Sequence, residues 1–428
     1  MPRSCLLLFA AFLLTTAAVR GGDLVGDAKV APPPFPIWPQ FRGPDGQGHV
    51  SEKIPTSWSD GDVTWKVPIP GKGWSSPIIA EGKIWMTTAV PNKGSAYTLR
   101  VVAVREDTGA PLHDIEVFSI PTKFKLHDRN TLATPTPVYD AGRLFVSFGT
   151  AGVAAIDTQA AKIVWKNQSL DLDYQTGAAA SPIPYKDKIL LSCDAADQQF
   201  AVALDKATGE IAWKTARPSD QKSPDSRRAF ATPLVIHADG RDQVVMPASH
   251  CVYAYDPNDG KELWKVKYGG FSNVPRPVFA HGLVYVQTGF APPELIAIRP
   301  DGTGDVTKSK VVWRYRKSVP NVPSPVVVGD HLYMVADNGL LTCLDARSGA
   351  AKWTQRLLAG NYSSSPLAQG TSIYVTSDDG KTTIFKAGDE YKEIARNELA
   401  AGKVQASPAV ADGSLFIRTD ASLIRVGR

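Results

Sequence analysis

Four groups of side chains in this 428-residue chain are of types that do chemistry. Histidines stand at His49, His113, His127, His237, His250, His281 and His331, and no two share the close spacing that metal coordination uses. Cys5, Cys193, Cys251 and Cys343 lie far apart, with no vicinal pair and no Cys-x-x-Cys-His, so the last three read as buried thiols and not as a disulfide or haem site. Asp194, Asp197, Asp337, Asp378, Asp379 and Asp420 occur in phrases such as "ADNG" and "SDDG". Asp or Asn beside Gly makes tight hairpins, so turn chemistry accounts for these carboxylates without Ca²⁺. No Gly-x-Ser-x-Gly elbow, P-loop or His-Glu-x-x-His helix is present. The fourth group is Trp74, Arg129, Asn130, Arg228, Asn273, Arg276, Asn321, Tyr362 and Gln405. Arginines and amides facing an aromatic suit an anionic ligand or the polar peptide of a protein partner, whereas their plain structural role is packing between neighbouring loops.

What positions this fourth group is a repeat. Ser/Thr-Pro, a strand, a short turn, a strand, an Asp/Gly turn and a strand often ending in Trp recur along the chain, as in Ser181–Lys214 and Ser324–Trp353. The anchoring prolines are Pro77, Pro137, Pro182, Pro233, Pro277, Pro325, Pro366 and Pro408. Four short strands in some forty-odd residues make one twisted sheet that cannot cover both of its faces alone, which is the mark of a propeller blade. Period-two alternation in "GRLFVSFG" and "DHLYMVAD" marks strands, and no convincing helix appears. The expected fold is all-β, an eight-bladed β-propeller. The loops that lead into the innermost strands carry the fourth group, and they converge at the mouth of the central channel.

The ends of the chain predict how the ring closes. The last copy stops after three strands, while Val63–Ile69 reads as an orphan outer strand bearing Trp65. Pairing the two completes an eighth blade and leaves no long open edge. Burying Trp65 would contribute about 4 to 6 kcal/mol as an upper bound. The outer positions so counted are Trp65, the region of Val117, Trp165, Trp213, Trp264, Trp313, Trp353 and the region of Ile394. Their regular place at blade rims makes the tryptophans wedges between blades and not ligand-stacking groups.

The phrases "LDKATGEIAW", "YDPNDGKELW" and "LDARSGAAKW" resemble the Ala-x-Asp-x-x-Thr-Gly-x-x-x-Trp repeat of the PQQ-type propeller superfamily, over residues 38–428. That superfamily includes quinoprotein dehydrogenases and the non-enzymatic assembly lipoproteins of the BamB type. "WPQFRGPDGQG" (Trp38–Gly48) and "GKGWSSPIIAEGKIWMTTA" look like a group of exported bacterial PQQ-like repeat proteins. A dehydrogenase resemblance implies PQQ in the centre of the ring, a Ca²⁺ held by carboxylate and amide oxygens, an aspartate base and a vicinal disulfide. This chain lacks the vicinal cysteines and the long loops between blades.

Residues 1–20 carry Arg3, an apolar run from Cys5 to Leu14 and the small residues Thr16–Ala18, which reads as a cleavable export signal too short to span a bilayer. A Pro-rich linker over 21–37 follows, then a single propeller domain over 38–428. Cys5 lies too early to be a lipid-attachment cysteine. The charge of +5 comes from 47 basic against 42 acidic residues without a like-charge block, so nucleic acid is not an implied partner. The sequence therefore points to a periplasmic or secreted, non-catalytic binding or scaffold propeller. A PQQ-dependent oxidoreductase and a receptor for a carbohydrate or small metabolite are the alternatives.

Overall fold

A computed structural model describes, from Ile37 onward, all residues except 93–96, 122–125, 175–176, 291, 400 and 428. The export signal over 1–20 and all but the last residue of the linker over 21–37 lie outside the described residues. The fold is an all-β ring of eight sheets, with three single 3₁₀ turns as its helical content among the described residues. Blade 1 runs Ile78–Ala80, Lys83–Pro91, Tyr97–Arg105 and Pro111–Ile120, an antiparallel meander from the channel outward. Blades 2 to 7 begin at Val138, Ile183, Leu234, Val278, Val326 and Leu367 and repeat it. Blade 4 gains a short parallel outer strand, Gly304–Asp305, beside Glu262–Lys267.

Blade 8 is assembled from both ends of the chain. Ala409–Ala411, Ser414–Arg418 and Ser422–Gly427 supply three strands, and Val63–Pro68 pairs antiparallel with the third. Trp65 stands opposite Arg425 and Val67 opposite Leu423, the closure expected from the orphan strand.

Each outer strand carries a bulge immediately before the tryptophan position, as at Ile163/Trp165 and Ala203/Leu204. A bulge sharpens the local twist and re-aims the next side chain. Here it swings the indole toward the following blade. The Nε1 of Trp165 donates to Lys206 O at 3.0 Å, that of Trp213 to Pro257 O at 3.1 Å and that of Trp353 to Gly388 O at 3.0 Å. The receiving turn is shaped for this contact: Asp205 Oδ1 accepts the N–H groups of Ala207 and Thr208, and Gly209 follows at φ +77°. A Cβ at Gly209 would sit 2.5 Å from the Trp165 ring, and one at Gly260 would sit 2.4 Å from Trp213. The Thr-Gly and Trp of the repeat are thus two halves of one contact between successive blades.

One outer position differs from the sequence expectation: register places His113, not the region of Val117, opposite Ala103, whereas Ala395, in the region of Ile394, stands opposite Ile384 as expected. His113 follows Gly109 by four residues, as Trp213 follows Gly209, so blade 1 keeps the repeat spacing and replaces the tryptophan with histidine. His113 stacks on Trp85 with centroids 5.6 Å apart, so blade 1 carries its large aromatic two strands inward. Trp65 is only half-buried, which lowers its contribution below the expected bound.

Candidate functional site: the axial cavity and its floor

Seven of the eight innermost strands start just after a Ser/Thr-Pro pair, and these pairs form a belt round the channel. The N–H of Ser76 donates to Thr136 Oγ1, that of Thr136 to Ser181 Oγ and that of Ser181 to Thr232 Oγ1, each at 3.0 Å. On the other side Arg276 N–H donates to Ser324 Oγ at 2.9 Å, Ser324 N–H to Ser365 Oγ at 3.0 Å and Ser365 N–H to Ser407 Oγ at 2.8 Å. The Ser/Thr of the repeat therefore pins one blade to the next at the axis, as Trp does at the rim. At the fifth blade the hydroxyl is replaced by Arg276.

A cavity of about 740 Å³ lies against this belt and is lined from the lead-in loops of all eight blades. Of the residues singled out from sequence, Trp74, Arg129, Asn130, Arg228, Asn321 and Gln405 line it. Asn273, Arg276 and Tyr362 stand behind its wall. Asn273 is buried, donating to the Tyr268 hydroxyl at 2.9 Å, and Tyr362 packs beside Gly339 with its hydroxyl bonded to Leu358 O. Both shape the loops from below.

The cavity has an ionic and an aromatic side. Arg129 Nη1 meets Asp337 Oδ2 at 2.9 Å, and Asp337 Oδ1 also accepts the N–H of Asn321 at 2.9 Å. Arg228 meets Asp225 at 2.9 Å. Phe230, Phe271 and the exposed Phe290 form the aromatic side, with Phe271 edge-on to Phe290 at 5.8 Å. Beside the cavity, burial pushes Asp378 above the usual carboxylate range, against the bonds it accepts from Ser363 and Gln405. Five of the turn carboxylates thus do more than turn the chain. Asp197, Asp337, Asp378 and Asp420 pin lead-in loops, and Asp194 is buried in an ion pair with Arg217 at 2.8 Å.

The floor was not legible from sequence. Residues 38–50 cross the channel, touching innermost strands on opposite sides of the ring. Trp38 pairs with Ile79 of blade 1, Pro39 O accepts from Tyr139 of blade 2, Gln47 Oε1 from Phe279 of blade 5, and His49–Val50 run parallel to Ala368–Gln369 of blade 7. Arg276 anchors this plug, donating to Phe41 O at 2.7 Å, Gln40 Oε1 at 3.2 Å and Pro233 O at 3.0 Å. A Cβ at Gly46 would lie 2.2 Å from the Arg276 guanidinium, so the closeness of plug and anchor requires glycine. The ring of Phe41 lines the cavity above. The only sequence signal was the run of glycines in "RGPDGQG".

Three arginines surround the floor, each at most 2% exposed: Arg42, Arg276 and Arg418. Arg42 donates to Pro325 O at 2.7 Å and Arg418 to Ser75 O at 2.9 Å. Burial lowers Arg42 and Arg418 to about 9 and Arg276 to about 10, so all three stay charged at neutral pH.

Eight four-stranded blades, wedged at the rim by tryptophan and belted at the axis by Ser/Thr-Pro, define a β-propeller of the PQQ type. The family model described as outer membrane protein assembly factor BamB matches residues 99–289 and 248–426, and the chain belongs to this family. It is 27% identical over 161 residues to tetrathionate hydrolase of Acidithiobacillus ferrooxidans, covering 35% of this chain and 31% of that protein. It is 24% identical over 143 residues to outer membrane protein assembly factor BamB of Salmonella typhimurium, covering 33% of each. The matches thus span about a third of these two relatives. In fold it resembles BamB from Moraxella catarrhalis, with a TM-score of 0.61, 14% identity and coverage of 86% of this chain and 97% of that one. It also resembles quinohemoprotein alcohol dehydrogenase from Comamonas testosteroni, with a TM-score of 0.64, 12% identity and coverage of 92% and 81%. At these identities the likeness is one of fold.

The donor set does not fit the Ca²⁺-bound quinone of the dehydrogenases. Among the described residues no three His, Cys, Asp or Glu side chains are placed to hold a metal ion together, and Asp225 and Asp337 in the cavity are each already paired with an arginine. Cys193, Cys251 and Cys343 are buried free thiols in blades 3, 4 and 6.

Proposed function

We propose that this chain is an exported, non-catalytic propeller that acts as a binding or scaffold module, receiving a protein segment or small ligand at the axial cavity. The observation that carries this reading is the cavity itself: one end is closed by the plug, every blade contributes to its wall, and its rim charges are already paired. Such a wall offers shape, aromatic surface and hydrogen bonds, which are the means of recognition. Export rests on residues 1–20, with 21–37 as the linker to the ring. Among the described residues no helix is long and apolar enough to cross a membrane. The family's description as an outer membrane protein assembly factor supports a protein partner in the same envelope compartment.

The test is capture by the tagged full chain from an envelope extract. Phe290→Asp and Arg228→Glu at the mouth should lose the partner, whereas Val312→Asp on the exposed outer edge should keep it. Loss with the outer variant alone would place the working surface elsewhere. Dye reduction after adding PQQ and Ca²⁺ would replace this reading with the oxidoreductase one.

A further inference from the structure

The belt at the cavity floor is a set of hydrogen-bond donors with spare protons. Thr136, Ser181, Thr232, Ser365 and Ser407 line the cavity, and each oxygen accepts an N–H from the preceding blade. Among the described residues none of these five hydroxyls finds a protein acceptor for its own O–H. Accepting an N–H polarises a hydroxyl and makes it a stronger donor.

The buried arginines surround the same level. Pro325, Pro233 and Ser75, whose carbonyls they hold, are chain neighbours of the belt positions Ser324, Thr232 and Ser76. Nε and Nη1 of Arg42 and Nε of Arg418 are buried with no partner. Asp45 is the carboxylate that acts on Arg42 and Arg276, and burial alone acts on Arg418. A buried cation without countercharge is costly; Arg42 and Arg276 share the one carboxylate of Asp45, and Arg418 has none.

We propose that the belt is a binding site for a small oxyanion, organic carboxylate or inorganic, seated on the channel axis. The anion supplies the acceptors that the hydroxyls lack, and its charge is favoured by the three arginines buried behind the belt, which have Asp45 as their one acting carboxylate. A neutral sugar supplies acceptors without the charge. The proposal rests on reading the axial cavity as the binding site and adds the class of ligand.

Calorimetric titration of the full purified chain with citrate, sulfate and glucose at fixed ionic strength tests it. Citrate or sulfate should bind and glucose should not. Binding of citrate alone marks an organic carboxylate as the ligand, and binding of sulfate alone marks an inorganic one. Thr136→Val and Ser181→Ala should each weaken the anion about ten-fold, in line with hydrogen bonds to charged groups. Thr136→Ser and Ser181→Thr keep the hydroxyl and should keep the affinity, which separates lost donors from a damaged fold. Glucose binding as tightly as both anions, or no binding of either anion to the wild-type chain, overturns the proposal. If neither anion binds while the mouth variants still lose the protein partner, the oxyanion site falls and the scaffold reading stands. If an anion binds while the mouth variants keep the partner, the oxyanion site stands and the partner docks elsewhere.

Discussion

Removing the carboxylate of Asp194 leaves the guanidinium of Arg217 buried without its counter-ion. Both side chains are about 1% exposed, and Arg217 also holds Ser192 Oγ and Phe200 O. Asp194→Ala should therefore cost about 3 to 5 kcal/mol, the usual penalty for breaking a buried pair on one side. Denaturant unfolding measures it, and Asp194→Ala with Arg217→Met should recover most of the loss. In the sequence Asp194 was one more turn aspartate among six, because its partner lies just past the outer strand Ile211–Ala216 and no short spacing connects them. Arg129 and Arg228 could be placed at the channel mouth because loop position follows from the repeat. Arg42 and Arg418 could not, since what makes them notable is burial beside a distant segment. The Arg42 contact with Pro325 spans 283 positions.

Between blades, the contact of tryptophan with glycine is the unit of stability. Gly260→Ala would put a methyl group into the Trp213 ring at a backbone φ of +74°, so it should destabilise the chain by more than about 1 kcal/mol. Thermal unfolding reads this directly, and a surface glycine such as Gly240, with open space around it, is the control. The joint between blades 8 and 1 has its own pH dependence. Trp65 and Arg425 both donate to Glu106 O there, and burial, opposed by Arg425, raises the Glu106 carboxyl to about 7 from 4.5. The folded chain holds that proton more tightly than the unfolded chain. The stability it contributes is full below about 4.5 and is lost as pH rises through about 7. The melting temperature should fall more steeply across that window in the wild type than in Glu106→Gln. The blades themselves were legible because Ser/Thr-Pro, an Asp/Gly turn and Trp mark the corners of most sheets. The bulges were not legible, since they add a residue without changing its type. The first outer strand is misplaced on Val117 instead of His113 because the tryptophan that marks this corner is absent there.

Across the whole molecule, one strand from the start of the chain makes the ring a ring. Without Val63–Pro68 beside Ser422–Gly427, blades 8 and 1 lose their joint, and the plug and its cavity lose the closed frame that holds them. Sequence foretold this latch because a missing strand at one end matched a spare strand at the other. It did not foretell the plug, which has neither period nor strand alternation. Arg276→Ala should loosen the plug while leaving the latch intact, seen as faster amide hydrogen exchange over residues 38–50 with unchanged protection over 63–68. The most direct test of the account is a cysteine pair at Val67 and Leu423, which stand opposite each other in the closing strands. Mild oxidation of the native double variant should give an intramolecular crosslink in nearly every chain. If both thiols instead stay free and open to alkylation in the native protein, the ring does not close there.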